Sequence, residues 1–223
     1  MTRLALFDLD HTLLSGDTDV LWCDFLIDEG RLDRATFGPR NESMAERYAR
    51  GEASAAEFCG FYAETLRGIG GEEGAALRER FFSDRIASRI PASARALIAQ
   101  HRERGDTLVL TTATNRFLTE LTATDLGIDA LIATELEQAE GRFTGRIRGT
   151  PNMREGKVER LHEWLAQRQR SLADFRESWF YSDSQNDLPL LSRVTHPVAV
   201  NPDPVLASHA RHHAWAQISL ADA

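Results

Sequence analysis

Two carboxylates set two residues apart, directly after a short apolar run, constrain this chain more than any other feature. Leu4-Ala5-Leu6-Phe7 has no helical spacing and is closed by Asp8-Leu9-Asp10-His11-Thr12, the pattern of a buried strand that opens a parallel sheet and carries its acids at its C-terminal end. Burying two carboxylates is costly unless a cation or a hydrogen-bond network neutralises them, and magnesium favours oxygen ligands of this kind. An isolated Asp-x-Asp more often serves as a solvated turn or a helix cap. An EF-hand loop fails here because Leu13 stands where glycine is needed, Asp19 stands where glutamate is needed, and the flank reads as strand.

From about Asp19 to Arg89 the chain is rich in Ala, Glu and Arg, with apolar residues at helical spacing (Leu21, Phe25 and Leu26; Phe58, Phe61, Tyr62 and Leu66), which predicts several helices and no strand. After Pro91 an alternation begins. Helices are predicted over 92–104, stopped by Gly105, and over 116–125, 155–170, 188–192 and 204–210; strands over 107–111, 130–134, 178–182 and 197–200; and a hairpin pairs 135–138 with 142–147 about Gly141. The fold class is therefore α/β: a doubly wound, Rossmann-like parallel sheet with a helical cap inserted after its first strand. The expected core is 1–16 with 90–223, and the expected cap is 17–89. Ligands bind outside the carboxyl ends of such strands, which places Asp8, Asp10, Thr112 and Asp183 at one crevice.

The far end repeats the acidic pattern in Tyr181-Ser182-Asp183-Ser184-Gln185-Asn186-Asp187-Leu188-Pro189, although Asp187 alone reads equally as a helix N-cap. Two acidic strand ends in one sheet can share one cation. The 34 acidic residues outnumber 26 basic ones for a formal charge of -8, and no long basic run is present, which disfavours nucleic acid. Trp22, Trp164, Trp179 and Trp215 are scattered as packing residues. Cys23 and Cys59 form neither a disulfide framework nor a zinc motif. His209, His212 and His213 lie at helical spacing without an accompanying Glu or Cys, which assigns them a structural or surface role. Gly149 to Lys157 is not a P-loop, because six residues separate Gly149 from Gly156 and Val158 replaces the Ser or Thr. The opening apolar run is too short for a signal peptide and no stretch approaches a membrane span. The expectation is a cytoplasmic protein with a small soluble ligand and no nucleic-acid, membrane or obligate protein partner.

Taken in chain order, these segments resemble the four motifs of the haloacid dehalogenase (HAD) superfamily of phosphohydrolases: Asp8-Leu9-Asp10-His11-Thr12, Thr112 after Val109-Leu110-Thr111, Lys157, and Asp183 with Asp187. The insertion between the first two motifs is similar in spacing to the phosphoserine phosphatase branch, subfamily IB, whose C1 cap is a small helical bundle. The resemblance implies a Mg²⁺-dependent phosphomonoesterase acting on a small phosphorylated metabolite, phosphoserine-like or histidinol-phosphate-like. Asp8 would be the nucleophile that forms an aspartyl-phosphate, and Asp10 the acid that protonates the leaving alkoxide and later activates water. Mg²⁺ would be held by Asp8, the backbone carbonyl of Asp10 and Asp183, with Asp187 positioning metal-bound water and Asn186 supporting the loop. Thr112 and Lys157, with Leu9, Asp10 and Ala113, would bind the phosphoryl group, and Thr12 would brace the first loop. For the leaving group, the resemblance points to Asp17 and to the cap arginines Arg40, Arg47 and Arg50; Thr112-Ala113-Thr114 departs from the usual Ser-Gly-Gly of that branch. A phosphotransferase with the same intermediate, a noncatalytic phosphometabolite sensor and an acidic metal-binding structural protein stay open at this point. The cap is expected to move about Ser15-Gly16 and 87–91.

Overall fold

The computed structural model describes residues 2–220, so the expected core limits at 1 and 223 lie outside the described residues. The chain begins with β1 (Arg3–Phe7), followed by four helices, α1 (Thr18–Asp28), α2 (Arg34–Ala49), α3 (Ala55–Thr65) and α4 (Gly71–Phe81), and by a π-helical turn over Phe82–Ile86. It continues with α5 (Ala92–Glu103), β2 (Thr107–Asn115), α6 (Arg116–Asp125), β3 (Ala130–Thr134), β4 (Leu136–Ala139) and β5 (Arg142–Ile147). The last part holds α7 (Glu155–Ala166), β6 (Glu177–Ser182), α8 (Leu188–Leu191), β7 (His196–Val200), α9 (Pro204–His212) and β8 (Ala216–Ile218).

Six strands form one parallel sheet in the order β3-β2-β1-β6-β7-β8. Alternate residues of each strand feed opposite cores. Ala5, Phe7, Leu110, Tyr181 and Val198 pack on one face with Ile98 of α5 and Leu118 of α6. Leu4, Leu6, Val109, Phe180 and Ala199 pack on the other with Leu161 of α7, Leu190 of α8 and Leu206 of α9. Burial on both faces is why β1 reads as an unbroken apolar run. The chain winds outward through β2 and β3, then returns to the far side of β1 as β6, so the sheet reverses between β1 and β6.

The inserted helices are tied together at named points. Asn41 Nδ2 of α2 donates to the Val20 carbonyl of α1 (3.2 Å), and Tyr62 Oη of α3 donates to Asn41 Oδ1 (3.1 Å). Trp22 meets Phe81 edge to face at 5.1 Å between ring centres. The hairpin of β4 and β5 reaches this insertion: Gly68 N donates to Phe143 O (2.8 Å) and Phe143 N to Ile69 O (2.9 Å). Gly70 is required there, because a Cβ would lie 2.2 Å from Gly141 O. The two chain crossings between insertion and sheet are adjacent, with Ser15 N donating to Arg89 O (2.8 Å).

Three departures from the sequence reading have local causes. β2 runs on to Asn115 rather than stopping at Thr111, because its pairing with β3 continues from Thr112 with Ala133 and, past an irregularity, to Asn115 with Thr134, beside a buried Asn152 whose Nδ2 lies 2.9–3.0 Å from Thr111 Oγ1, Thr112 O and Ile132 O. The helix predicted over 155–170 ends at Ala166, where the Arg168 and Arg170 amides turn back to Leu165 O. β8 is a three-residue, largely exposed edge with no apolar pattern to announce it. Cys23 and Cys59 are free and buried. The His209 ring stacks on His213, which His212 meets edge to face, and His209 meets Trp215 edge to face. No helix among the described residues is long and apolar enough to cross a membrane.

Candidate active site

Asp8 leaves the end of β1 with its amide held by Tyr181 O of β6 (2.9 Å). Lys157, in the first turn of α7, reaches the same point from the opposite side. Its Nζ lies 2.7 Å from Asp8 Oδ1 and 2.7 Å from Asp187 Oδ2, and its side chain is 2% exposed. Gly156 lets α7 start so close to the preceding loop, since a Cβ there would lie 2.1 Å from Pro151 O. Asp187 precedes α8, yet its side chain makes no capping bond; it binds Lys157 and accepts from Ser182 Oγ (2.7 Å) instead. Thr12 Oγ1 lies between Asp8 Oδ2 (3.3 Å) and Asp183 Oδ1 (3.0 Å) and accepts from Asp183 N (3.0 Å).

Asp10 is clamped separately. Its Oδ1 accepts from the amide of Thr18 (2.7 Å) and from the Thr18 hydroxyl, and its Oδ2 faces the hydroxyls of Thr112 (3.2 Å) and Thr114 (3.0 Å). Thr114 Oγ1 also lies 2.9 Å from Asp19 Oδ2. Asp19 is 2% exposed, its Oδ1 has no partner among the described residues, and burial, followed by Asp17 and Asp10, pushes its pKa well up.

A stability prediction follows from the sign of that shift. A carboxyl whose folded pKa lies above its unfolded value favours the fold at low pH, and the advantage is lost as pH rises through the folded pKa. Asp19→Asn removes the cost of holding a carboxyl with a raised pKa in that place, so Tm at pH 8 is expected to rise by about 2–8 °C and the gain to shrink on acidification. A pH-independent gain, or a loss, in thermal melts would contradict the raised pKa of Asp19.

The cluster as a whole is short of positive charge. Burial pushes Asp8 up to about 7, with Asp187 and Asp10 adding to the rise and Lys157 opposing it; Asp183 is raised by burial, then by Asp8 and Asp187. Burial also works against the Lys157 ammonium, but Asp187 and Asp8 outweigh it and hold its pKa above the ordinary lysine value. Oxygen donors beside excess negative charge suit a hard divalent cation. No group of three or more His, Cys, Asp or Glu side chains spaced to hold an ion occurs among the described residues. Asp8 and Asp183 are two carboxylates linked through Thr12 Oγ1, and an oxygen pair of this kind fits the chemistry of Mg²⁺, which keeps several waters and fills other positions from a phosphate.

A cavity of about 380 Å³ adjoins these loops, bounded by His11, Asp17, Val20, Leu21, Tyr48 and Asp183 among others. Asp17 caps α1 by accepting from Val20 N (3.0 Å) and faces the cavity; burial and then Asp10 push its pKa up to about 6. Leu9 and Ala113 are buried beside Asp8 and Thr112. The three cap arginines are not brought to the cavity, because each is satisfied on the cap's own surface. Arg40 stacks over Phe37 and Phe61, Arg47 pairs with Glu57 (2.9 Å), and Arg50 pairs with Glu52 (3.0 Å) and Glu46 (3.5 Å).

The model of haloacid dehalogenase-like hydrolases matches residues 5–192. The chain belongs to this family. A histidinol-phosphatase of Neisseria meningitidis is 38% identical over 216 residues, covering 96% of this chain and 97% of that one. A phosphoserine phosphatase, SerB1, of Mycobacterium tuberculosis is 31% identical over 223 residues, covering 96% of this chain and 70% of its own length. Among solved structures, a protein of unknown function from Bordetella pertussis superposes with a TM-score of 0.93 at 46% identity, covering 99% of this chain and all of that one. A substrate-bound phosphoserine phosphatase shares the fold at a TM-score of 0.70 and 18% identity, over 99% of this chain and 93% of that one.

The sequence reading missed Thr18, Asp19 and Thr114. Thr114 had a signal: two residues beyond Thr112 in a strand, it shares that residue's face. Thr18 and Asp19 follow the α1 cap, where an acid reads as ordinary helix-start chemistry.

Proposed function

We propose that this HAD-family enzyme is a Mg²⁺-dependent phosphomonoesterase whose substrate bears an amine and no carboxylate, histidinol phosphate rather than phosphoserine. The observation that carries the chemistry is Asp8 at the end of β1, bonded at 2.7 Å to a buried Lys157 that is itself held by Asp187. Asp8 attacks phosphorus and forms an aspartyl-phosphate, splitting one displacement into two. Lys157 neutralises charge shared by Asp8 and the phosphoryl oxygens, and the Thr112 hydroxyl turns from Asp10 to a phosphoryl oxygen. Asp10, clamped by Thr18 and Thr114, gives its proton to the leaving alkoxide and takes one from the attacking water. Asp8, Asp183 and the Asp10 carbonyl would hold Mg²⁺, which when bound lets an anionic nucleophile approach an anionic phosphate.

The substrate follows from what the cavity offers. Asp17 presents a carboxylate to an ammonium group, Val20, Leu21 and Ala45 supply an apolar wall, and the cap arginines that would bind a substrate carboxylate are spent elsewhere. The histidinol-phosphatase relative, matched along nearly its full length, supports the same choice. With Mg²⁺ present, kcat/KM for L-histidinol phosphate is expected to exceed that for O-phospho-L-serine by at least about tenfold, and EDTA is expected to abolish both. Equal values or the reverse order would overturn the substrate assignment; undiminished turnover in EDTA would overturn the metal.

A further inference from the structure

α2 ends above the catalytic loops, where three core side chains take carbonyls of its last turn and of the turn that follows. Asn186 Nδ2 donates to Tyr48 O (3.2 Å), Gln185 Nε2 to Ala49 O (3.0 Å) and Arg154 Nη2 to Gly51 O (2.7 Å), while Arg154 Nε donates to Asn186 Oδ1 (3.0 Å). Carbonyls of a last helical turn have no partner further along their helix; Tyr48 O accepts from Gly51 N (2.9 Å) as well, and the latch gives side-chain partners to Ala49 O and Gly51 O. Arg154 holds its place with a φ of 54°, a conformation that a non-glycine residue keeps only where its surroundings fix it. The latch seats one side chain in particular. The Tyr48 ring stacks on Phe58 at 4.2 Å between centres and lines the cavity beside Asp17 and Asp183.

The Tyr48 hydroxyl makes no hydrogen bond to any described residue. A phenol keeps its proton at neutral pH, so this hydroxyl, on a side chain that lines the cavity, is an O–H donor without a protein acceptor among the described residues. A phosphoryl group placed in line with Asp8 adds negative charge to a cluster in which Lys157 is the ammonium within hydrogen-bond reach, and a neutral donor on the cap side offsets part of it without a further buried charge.

We propose that Tyr48 contacts the substrate, its phenolic O–H donating a hydrogen bond to a non-bridging oxygen of the phosphoryl group seated at Asp8, and that Arg154, with Gln185 and Asn186, is a positioning residue for it. The inference rests on the phosphatase reading above and deepens it. Asp17 then serves the leaving group and Tyr48 the group transferred, so Tyr48 acts on every phosphomonoester alike.

The test uses Tyr48→Phe, which keeps the ring and its stacking on Phe58. Unmodified protein and variant are titrated calorimetrically with inorganic phosphate in Mg²⁺ and assayed with L-histidinol phosphate and p-nitrophenyl phosphate. Phosphate is expected to bind about 10- to 100-fold more weakly to the variant, with kcat/KM falling by a similar factor on both substrates. Unchanged phosphate affinity overturns the proposal, as does a defect confined to L-histidinol phosphate, which would move the contact to the leaving group. Phosphate binding is read without turnover, so an inactive unmodified protein would sink the phosphatase reading while the affinity ratio still decides the contact. For positioning, Arg154→Ala is expected to weaken phosphate binding less than Tyr48→Phe does, and to add little once Tyr48 is already Phe. Full additivity would remove the positioning role.

Discussion

Asp8→Asn is expected to lower kcat by at least about 10⁴-fold while leaving the fold intact. The side chain keeps its shape and its place at the end of β1, but the amide is no nucleophile, so the covalent route closes. Stability moves the other way. Burial and the neighbouring Asp187 and Asp10 push the Asp8 carboxyl up to about 7, so above that pH the charge is held against its preference, and Lys157 retains Asp187 as a partner when Asp8 is neutral. Tm of the variant at pH 8 should equal or exceed that of the unmodified protein. A variant that unfolds would make Asp8 structural; one that keeps more than a few per cent of activity would move the nucleophile elsewhere. Melting curves and initial rates on the same preparation separate the two.

Lys157→Met is the converse, losing both stability and rate. The ammonium is almost wholly buried and answers two carboxylates at 2.7 Å, and removing one partner of a buried charge network costs about 3–5 kcal/mol because the others are left uncompensated. For a domain of this size that lowers Tm by about 6–20 °C. The sign of the pH dependence is fixed by the raised lysine pKa: the stabilisation is fully present below the ordinary value of 10.5 and is lost only as pH rises past the folded one, so it operates throughout the neutral range. The deficit should shrink toward pH 6, where Asp8 takes up a proton. Loss of transition-state neutralisation should lower kcat by about 10²–10³-fold. A Lys157→Met protein as stable as the original would mean that water enters the cluster and the ion pairs carry little.

The acidic cluster of the candidate site was legible because strand-end residues inherit their position from the sheet. An apolar run buried on both faces can only be an inner strand, and its C-terminal acids must then meet those of any neighbouring strand, which is how Asp8, Asp10 and Asp183 could be grouped from residues far apart in sequence. Lys157 was legible only through motif order, since nothing local distinguishes a first-turn lysine that points inward from one on a surface. The cap behaved differently. Its helices were plain from spacing, but the roles of Arg40, Arg47 and Arg50 depended on whether glutamates and aromatic rings of the same surface would claim them, and Glu57, Glu52 and Phe61 did. Tyr48 and Arg154 left no trace in sequence because their placement arises where α2 meets the loops after β5 and β6, a contact that no local periodicity encodes. The strand limit at Asn115 escaped for a related reason, since pairing with β3 past an irregularity after Thr112 carries it there.

The most direct test of the account is to acid-quench the enzyme during turnover of L-histidinol phosphate in Mg²⁺ and to map any phosphoryl group by peptide mass. The account predicts phosphate release together with a phosphoryl group on Asp8, both absent from Asp8→Asn. Turnover that persists in Asp8→Asn, or a phosphoryl group carried by a different residue, would contradict it.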